Sequence, residues 1–235
     1  MIKLETHCHT YGASSCANTP NEIIVQKYLQ AGYGAIVVTN HFSVHSYNNY
    51  FVGNTHKEKT DSYFRFIDEF SKVCQKVGIK TFWGTEVRTA EDTEYMVIGL
   101  PKSEYYNTPL FNLTQKELFE LTEKHGAFMY QTHPFRNGVR VGDPKFLHGA
   151  EAFNGHYHHV NNNDKAAKFC KENGLIGLSG TDYHHPDQPV TAGIYAPKEM
   201  QTNEDLIKFL FDNNFKIIKE EAVYFDALKK YRGEI

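Results

Sequence analysis

No stretch of this sequence approaches the roughly 20 consecutive apolar residues that a membrane-spanning helix requires, so no membrane partner is expected. Met1 leads directly into a short β-like segment without a basic region and apolar core, so no signal peptide is expected either. Cysteine is scarce. Cys8, Cys16, Cys74 and Cys170 make no CxxC pair and no regular framework, a usage that fits a reducing, cytoplasmic compartment. Neither sign of charge dominates: 25 Lys and Arg stand against 28 Asp and Glu, for a net charge of −3. A protein that tracks a phosphate backbone needs a surplus of Lys and Arg, so long nucleic acid is not the expected partner. There is no low-complexity linker and no GxSxG sequence that would mark a serine nucleophile on a strand-to-helix elbow.

The chain is rich instead in histidine, with 13 in 235 residues, and in regularly spaced glycine. Segment 2–6 is a strand candidate. Thr19-Pro20-Asn21-Glu22 reads as a capping box opening a helix over about 20–31, with Ile23, Ile24, Tyr28 and Leu29 on its apolar face and Gly32 as its stop. Ala35 to Thr39 is a continuous apolar run, as in a strand buried on both faces. A long loop over about 40–58, holding His45, Tyr47, Tyr50, Phe51 and His56, follows. A loop of that length in a compact domain suits a lid or a substrate contact. The alternation then repeats: a helix near 60–77, strands at 79–85 and 95–100, a helix capped by Thr114 and Glu117, and strands at 127–132 and 150–154. A helix at 162–173, a strand at 175–179, a helix capped by Thr202 and a last strand near 215–218 complete it. Alternation of this kind over the whole of 1–235 predicts one α/β domain with a parallel sheet, and its seven or eight units favour a barrel, with a doubly wound open sheet as the alternative.

Ionisable residues recur where these strands end: His7 and His9, then Asn40 and His41, Glu86, His133, and Asp182 with His184. In a barrel those positions share the face that carries active sites. Any one of them could be a loop residue or a helix cap. Together, several imidazoles and carboxylates converging on one face have the composition of a metal site. His156, His158, His159 and His185 read as surface-loop residues, and His125 and His148 as structural.

Five segments in this order carry a resemblance: His7-Cys8-His9-Thr10, Thr39-Asn40-His41, Gly84-Thr85-Glu86, Thr132-His133-Pro134 and Gly180-Thr181-Asp182-Tyr183-His184, with Glu151-Ala152-Phe153-Asn154-Gly155 as a sixth. They resemble the motifs of the PHP (polymerase and histidinol phosphatase) superfamily of metal-dependent phosphoesterases. They lie within residues 1–194, which leaves 195–235 to close the fold. The resemblance implies a distorted (β/α)7 TIM-like barrel of PHP type, with two or three divalent ions (Zn, Mn or Fe). Carried across residue by residue, His7, His9, Glu86 and Asp182 would hold one ion. Glu86 would bridge to a second that His133 also binds, and His41 and His184 would hold a third. His133, Asp182 and His184 are then the implied catalytic residues.

The sequence departs from that family pattern at three points. Asn40 stands where an Asp is usual. Ser14-Ser15-Cys16 stands where an acidic residue or His commonly ligates the third ion, with Cys16 as candidate replacement or simply a buried thiol. In the strand after the glutamate motif, where many members have a His, the best match is Met96, a poor ligand for a hard cation.

The chemistry implied is hydrolysis of a phosphate ester by water activated between cations about 3.5–4 Å apart. Arg136 and Arg140, following His133, and Arg88, following Glu86, are candidates to grip phosphate bidentately. A small phosphorylated substrate, handled as by a histidinol phosphatase, is expected. A nucleotide phosphodiesterase or nuclease is the nearest rival, a non-catalytic metal-binding module the second, and metal-dependent amide hydrolysis ranks last.

Overall fold

The computed structural model describes residues 1–235. In chain order its elements are β1 (Ile2–Cys8), α1 (Asn21–Gln30), β2 (Tyr33–Val38), β3 (His41–Phe42), α2 (Val44–Asn49), α3 (His56–Lys76), β4 (Lys80–Arg88), β5 (Glu94–Ile98), α4 (Lys102–Asn107), α5 (Gln115–Lys124), β6 (Phe128–Gln131), β7 (Gly149–Asn154), α6 (Asn163–Asn173), β8 (Ile176–Gly180), β9 (Ala192–Ala196), α7 (Asn203–Asp212), β10 (Ile217–Lys219) and α8 (Glu221–Tyr231). The strands form one sheet in the order β10-β9-β1-β2-β4-β5-β6-β7-β8, with β3 also paired to β4. The sheet curls until the chain beyond β8 meets β1. Cys8 pairs with Tyr183, and the Asp182 N–H donates to the His7 carbonyl at 2.9 Å. The result is a nearly closed barrel of TIM-like form.

Alternation along the strands builds two cores. Leu4, Val37, Phe82, Met96, Ile98, Phe128 and Leu178 fill the barrel interior, where Leu206 and Leu210 of α7 join them and close one end. Ile36, Val38, Val87, Val97 and Met129 face outward onto a layer of helices supplied chiefly by α1 and α3. Residues 35–38 are therefore buried on both faces, which is why that segment reads as an unbroken apolar run.

The distortion has a specific form. β5 runs antiparallel to both β4 and β6, and β9 antiparallel to both β1 and β10. The sequence reading makes β5 a parallel strand and passes over β9. Both are short alternating segments with nothing local to mark direction, which is fixed by pairing across the sheet.

Three local expectations also change. The Thr19 hydroxyl does not cap α1; it donates to the His184 carbonyl at 2.9 Å, and Pro20 stands at the helix start without a side-chain cap. The buried face of α1 is Ile24, Val25 and Tyr28, while Ile23 and Leu29 are 41% and 40% exposed. The segment expected as one long loop contains β3, α2 capped by Ser43, and the start of α3, capped by a Thr55–Glu58 box. The capping boxes of Thr114–Glu117 and of Thr202, whose partner is Asp205, form at the helices where they are expected.

Candidate metal centre

The open end of the barrel is built from the residues where the parallel strands stop. His7 and His9, two apart on one strand, turn the same way, while Cys8 between them packs into the outer core. The Nε2 atoms of the two rings lie 3.0 Å apart. Each lies 3.4 Å from Glu86 Oε2 and 3.3 Å from Asp182 Oδ1. A cation with 2.0–2.1 Å bonds to four tetrahedral ligands separates those ligands by about 3.3 Å, so these distances are the edges of a cation cage. All four side chains are buried, and Glu86 Oε2, His9 Nδ1 and His133 Nδ1 have no hydrogen-bond partner. Buried polar atoms are normally satisfied, so an unpartnered Glu86 Oε2 facing the Nε2 atoms of His7 and His9 fits a cation ligand.

The electrostatics agree. Burial alone would push Glu86 toward protonation, but His41 and His7 hold its carboxyl well below the usual range. Burial likewise opposes ionisation of Asp182, and His7 and Arg136 outweigh it. His9 moves the other way, its ring held neutral by burial and by His184 and His41 beside it. Burial would keep the His7 ring neutral, but Asp182, Glu151 and Glu86 outweigh it and raise that ring well above the usual histidine range, so a divalent cation of the Zn, Mn or Fe class would take the place of a proton among these carboxylates.

Two further groups adjoin this cage through Glu86. His133 Nε2 is 3.2 Å from Glu86 Oε1 and 3.6 Å from Glu94 Oε2. His41 Nδ1 is 2.9 Å from Glu86 Oε2 and 3.6 Å from Glu94 Oε1. Glu94 is absent from the sequence-derived candidates. Because β5 runs backwards, its first residue reaches the open end, whereas Met96 sits one layer deeper in the barrel core. A search for acidic residues at the start of an antiparallel strand would have found it.

On the other side, the rings of His41 and His184 flank His9 at centroid distances of 4.4 and 4.1 Å. Cys16 lies between His184 and His41. Burial raises its thiol pKa, but those two imidazoles outweigh it and bring it down to about 4, a thiolate.

Supporting residues fix these ligands. Glu151 Oε1 is 2.7 Å from His7 Nδ1, and its Oε2 accepts from the His133 N–H at 2.8 Å and from Asn154 Nδ2 at 2.9 Å. Glu151 lies in the sixth motif segment, and no role for it is expected from the sequence. The second buried carboxylate beneath the site, Glu5, accepts from the backbone N–H groups of His7 and Thr181 and from the Tyr28 hydroxyl. Asn40 holds the loop after His9 through paired bonds with Thr10. Gln188 donates to the carbonyls of Thr181 and Asp182 and accepts from the His184 N–H. His133 and Asp182 have φ of +32° and +54°, unusual for non-glycine residues, so the backbone is strained where it presents both side chains. A Cβ on Gly180 would lie 2.5 Å from His7 Cβ, so only glycine lets β8 approach that ring.

The three arginines separate. Arg136 reaches the site: Nη2 donates to Asp182 Oδ2 at 2.6 Å and to Asn154 Oδ1, and Nε donates to Asn161. Arg140 is an exposed partner of Glu91, at 3.2 Å. Arg88 pairs with Asp92 at 2.7 Å on the rim of a roughly 520 Å³ polar cleft shared with His45, Asn48 and Asn49. Of the other histidines, His56 bonds to Tyr47 and the Tyr105 carbonyl, His125 to Glu104, and His148 to Glu123 and the Met129 N–H.

The family model described as PHP domain matches residues 5–228. No curated protein matches the sequence. Among solved structures the chain is similar to a two-domain protein from Bacteroides vulgatus that contains a PHP-like metal-dependent phosphoesterase. That match has TM-score 0.65 and 19% identity, and covers 96% of this chain and 69% of that one. PsfC from Pseudomonas syringae aligns with TM-score 0.66 and 13% identity over 100% of both chains. The lesion-specific endonuclease PfuEndoQ from Pyrococcus furiosus aligns with TM-score 0.56 and 13% identity, over 92% of this chain and 57% of that one. These likenesses establish a shared fold.

Proposed function

The chain belongs to the PHP domain family, and from that premise we propose that it is a metal-dependent phosphoesterase acting on a small phosphate monoester. The observation that carries the reading is the cage of His7, His9, Glu86 and Asp182, with ligand atoms 3.0–3.4 Å apart.

His7, His9 and Asp182 would hold the first cation with one oxygen of Glu86. Glu86 turns its other oxygen to His133, so it can bridge to a second position completed by Glu94. His41, His184 and the Cys16 thiolate would be the donors for a third, where sulfur favours a borderline metal such as zinc or iron over magnesium. Bound divalent ions lower the pKa of a shared water and polarise the phosphoryl oxygens. The protein's part is orientation. His133, Asp182 and His184 face the reacting space, Glu151 keeps the His7 Nδ1–H turned outward, and Arg136 fixes Asp182. With Nε and Nη2 engaged, Arg136 retains Nη1 for a phosphate oxygen.

A monoester fits better than a polynucleotide. Arg136 is the guanidinium that bonds within the centre, Arg140 is an exposed partner of Glu91, and the chain's net charge of −3 offers no surplus of cations for a phosphate backbone. The endonuclease among the structural relatives keeps the diester reading as the rival. The test is phosphate release from an aryl phosphate with Mn²⁺, Zn²⁺ or Fe²⁺, alongside an aryl phosphodiester. Turnover of the monoester that is abolished in His9→Ala and Asp182→Ala is expected. Diester cleavage without monoester turnover overturns the substrate. Tight metal binding without any turnover overturns the enzyme in favour of a non-catalytic module.

A further inference from the structure

A second group of histidines lies beside the centre and takes no part in it. His156 and His158 come from the loop after β7, and His185 from the loop after β8. One ring nitrogen from each lies within 4.8 Å of the others. The ring centroids are 5.3 Å apart for His156 and His158, 5.7 Å for His156 and His185, and 4.4 Å for His158 and His185. Imidazoles bound to one ion through 2.0–2.1 Å bonds have centroids separated by about 4.4 Å at a right angle and about 5.1 Å at the tetrahedral angle. The His158–His185 edge matches the right-angle value and the two edges to His156 are wider than the tetrahedral one, so ring rotation at His156 would bring the three nitrogens to one ion.

The arrangement is held from outside. His158 stacks on Tyr231, near the end of α8, with centroids 4.0 Å apart and planes at 18°. His156 is buried, while His158 and His185 are partly exposed, so an ion can enter from solvent. The only hydrogen bond to a ring nitrogen of the three is a long one, 3.3 Å from the His158 N–H to His156 Nδ1. It lies beyond the usual N–H···O range and leaves the ligand nitrogen free to be chosen by the ion. As surface-loop residues the three would have no reason to converge.

We propose that His156, His158 and His185 form an additional cation site for a borderline divalent ion such as Zn²⁺ or Ni²⁺, separate from the central cage. Water completes the coordination. The ion ties the loops after β7 and β8 to each other and, through the stack on Tyr231, to α8. The role is to fasten the rim of the active-site mouth, and none of the central ligands is used.

The test is the zinc content per folded chain of wild type, His158→Ala and His185→Gln after equilibration with Zn²⁺ and removal of loose ion. Each variant is expected to lose one equivalent and to lose the part of the zinc-induced rise in Tm that this site supplies, while the remaining ions bind with unchanged affinity. Equal content and equal zinc affinity in wild type and both variants overturn the proposal. If a variant fails to fold, anomalous diffraction from wild-type crystals grown with Zn²⁺ decides. A peak among the three rings supports the site, and filled central positions with no peak there overturn it.

Discussion

Replacing Glu151 by Gln should weaken the central metal site although Glu151 is not one of its ligands. Both carboxylate oxygens act only as acceptors: Oε1 for His7 Nδ1–H at 2.7 Å, Oε2 for the His133 N–H and Asn154 Nδ2. A glutamine must turn its NH₂ toward one side. Facing His133 and Asn154, it would set donors against donors. Facing His7, it forces Nδ1 to accept, which moves the ring proton to Nε2, the atom 3.0 Å from His9 Nε2 in the cage. Either arrangement costs the site a good ligand. Loss of such a carboxylate behind a ligating histidine typically weakens metal binding by about 10–100-fold, or about 1.4–2.7 kcal/mol. Chelator-competition titrations with Zn²⁺ measure the affinity. Imidazole ¹⁵N shifts report whether His7 changes tautomer, a readout that a merely structural role would not move. Affinity within twofold of wild type, with the His7 tautomer unchanged, would refute the reasoning.

Glu94→Gln should reduce the number of tightly held ions, whereas Met96→Leu should leave metal content unchanged and cost less than about 1.5 kcal/mol in urea melts; the opposite ranking of the two would restore Met96 to the site. Burial raises Glu5 from 4.5 to about 7, against the lowering effect of its hydrogen bonds from Thr181, His7 and Tyr28. A carboxyl that binds its proton more tightly when folded gives stability that is full below about pH 4.5 and lost as pH rises to about 7, by at most roughly 3 kcal/mol. Glu5→Gln should therefore flatten the fall in metal-free stability between pH 5 and pH 8, and an unchanged slope would assign that fall elsewhere. Thr114→Ala and Thr202→Ala should each cost about 1 kcal/mol through loss of a helix cap, measured by thermal unfolding. Thr19→Ala should spare α1 and act on the His184 loop, seen as slower hydrogen exchange lost at residues 184–188.

Much of the centre was legible in the sequence because parallel strands deliver their last residues to one end of a barrel. His7, His9, His41, Glu86, His133, Asp182 and His184 each sit at such an end, and the fold brings them together. That logic assumes strand direction, and it fails where direction changes. Glu94 begins β5, and in a parallel strand it would lie at the far end of the barrel; because β5 is reversed it meets His41 and His133. Glu151 was hidden differently, since a buried carboxylate inside an apolar strand acquires its meaning only from His7, distant in sequence. Local signals succeeded where the chemistry is local, as in the Thr114 and Thr202 boxes. At Thr19 a tertiary acceptor, the His184 carbonyl, took the hydroxyl that the helix would have used. Arg140 is held at the surface by Glu91, and Arg88, opposite Glu94 across the β4–β5 ladder, bonds to Asp92.

The most direct test of the account is a crystal structure of the protein loaded with Mn²⁺ or Zn²⁺, with anomalous data collected at the metal edge. The account predicts an ion bonded to His7 Nε2, His9 Nε2, Glu86 and Asp182, and density for a second beside His133, Glu86 and Glu94. A fully loaded protein with no ion among His7, His9, Glu86 and Asp182 would contradict it.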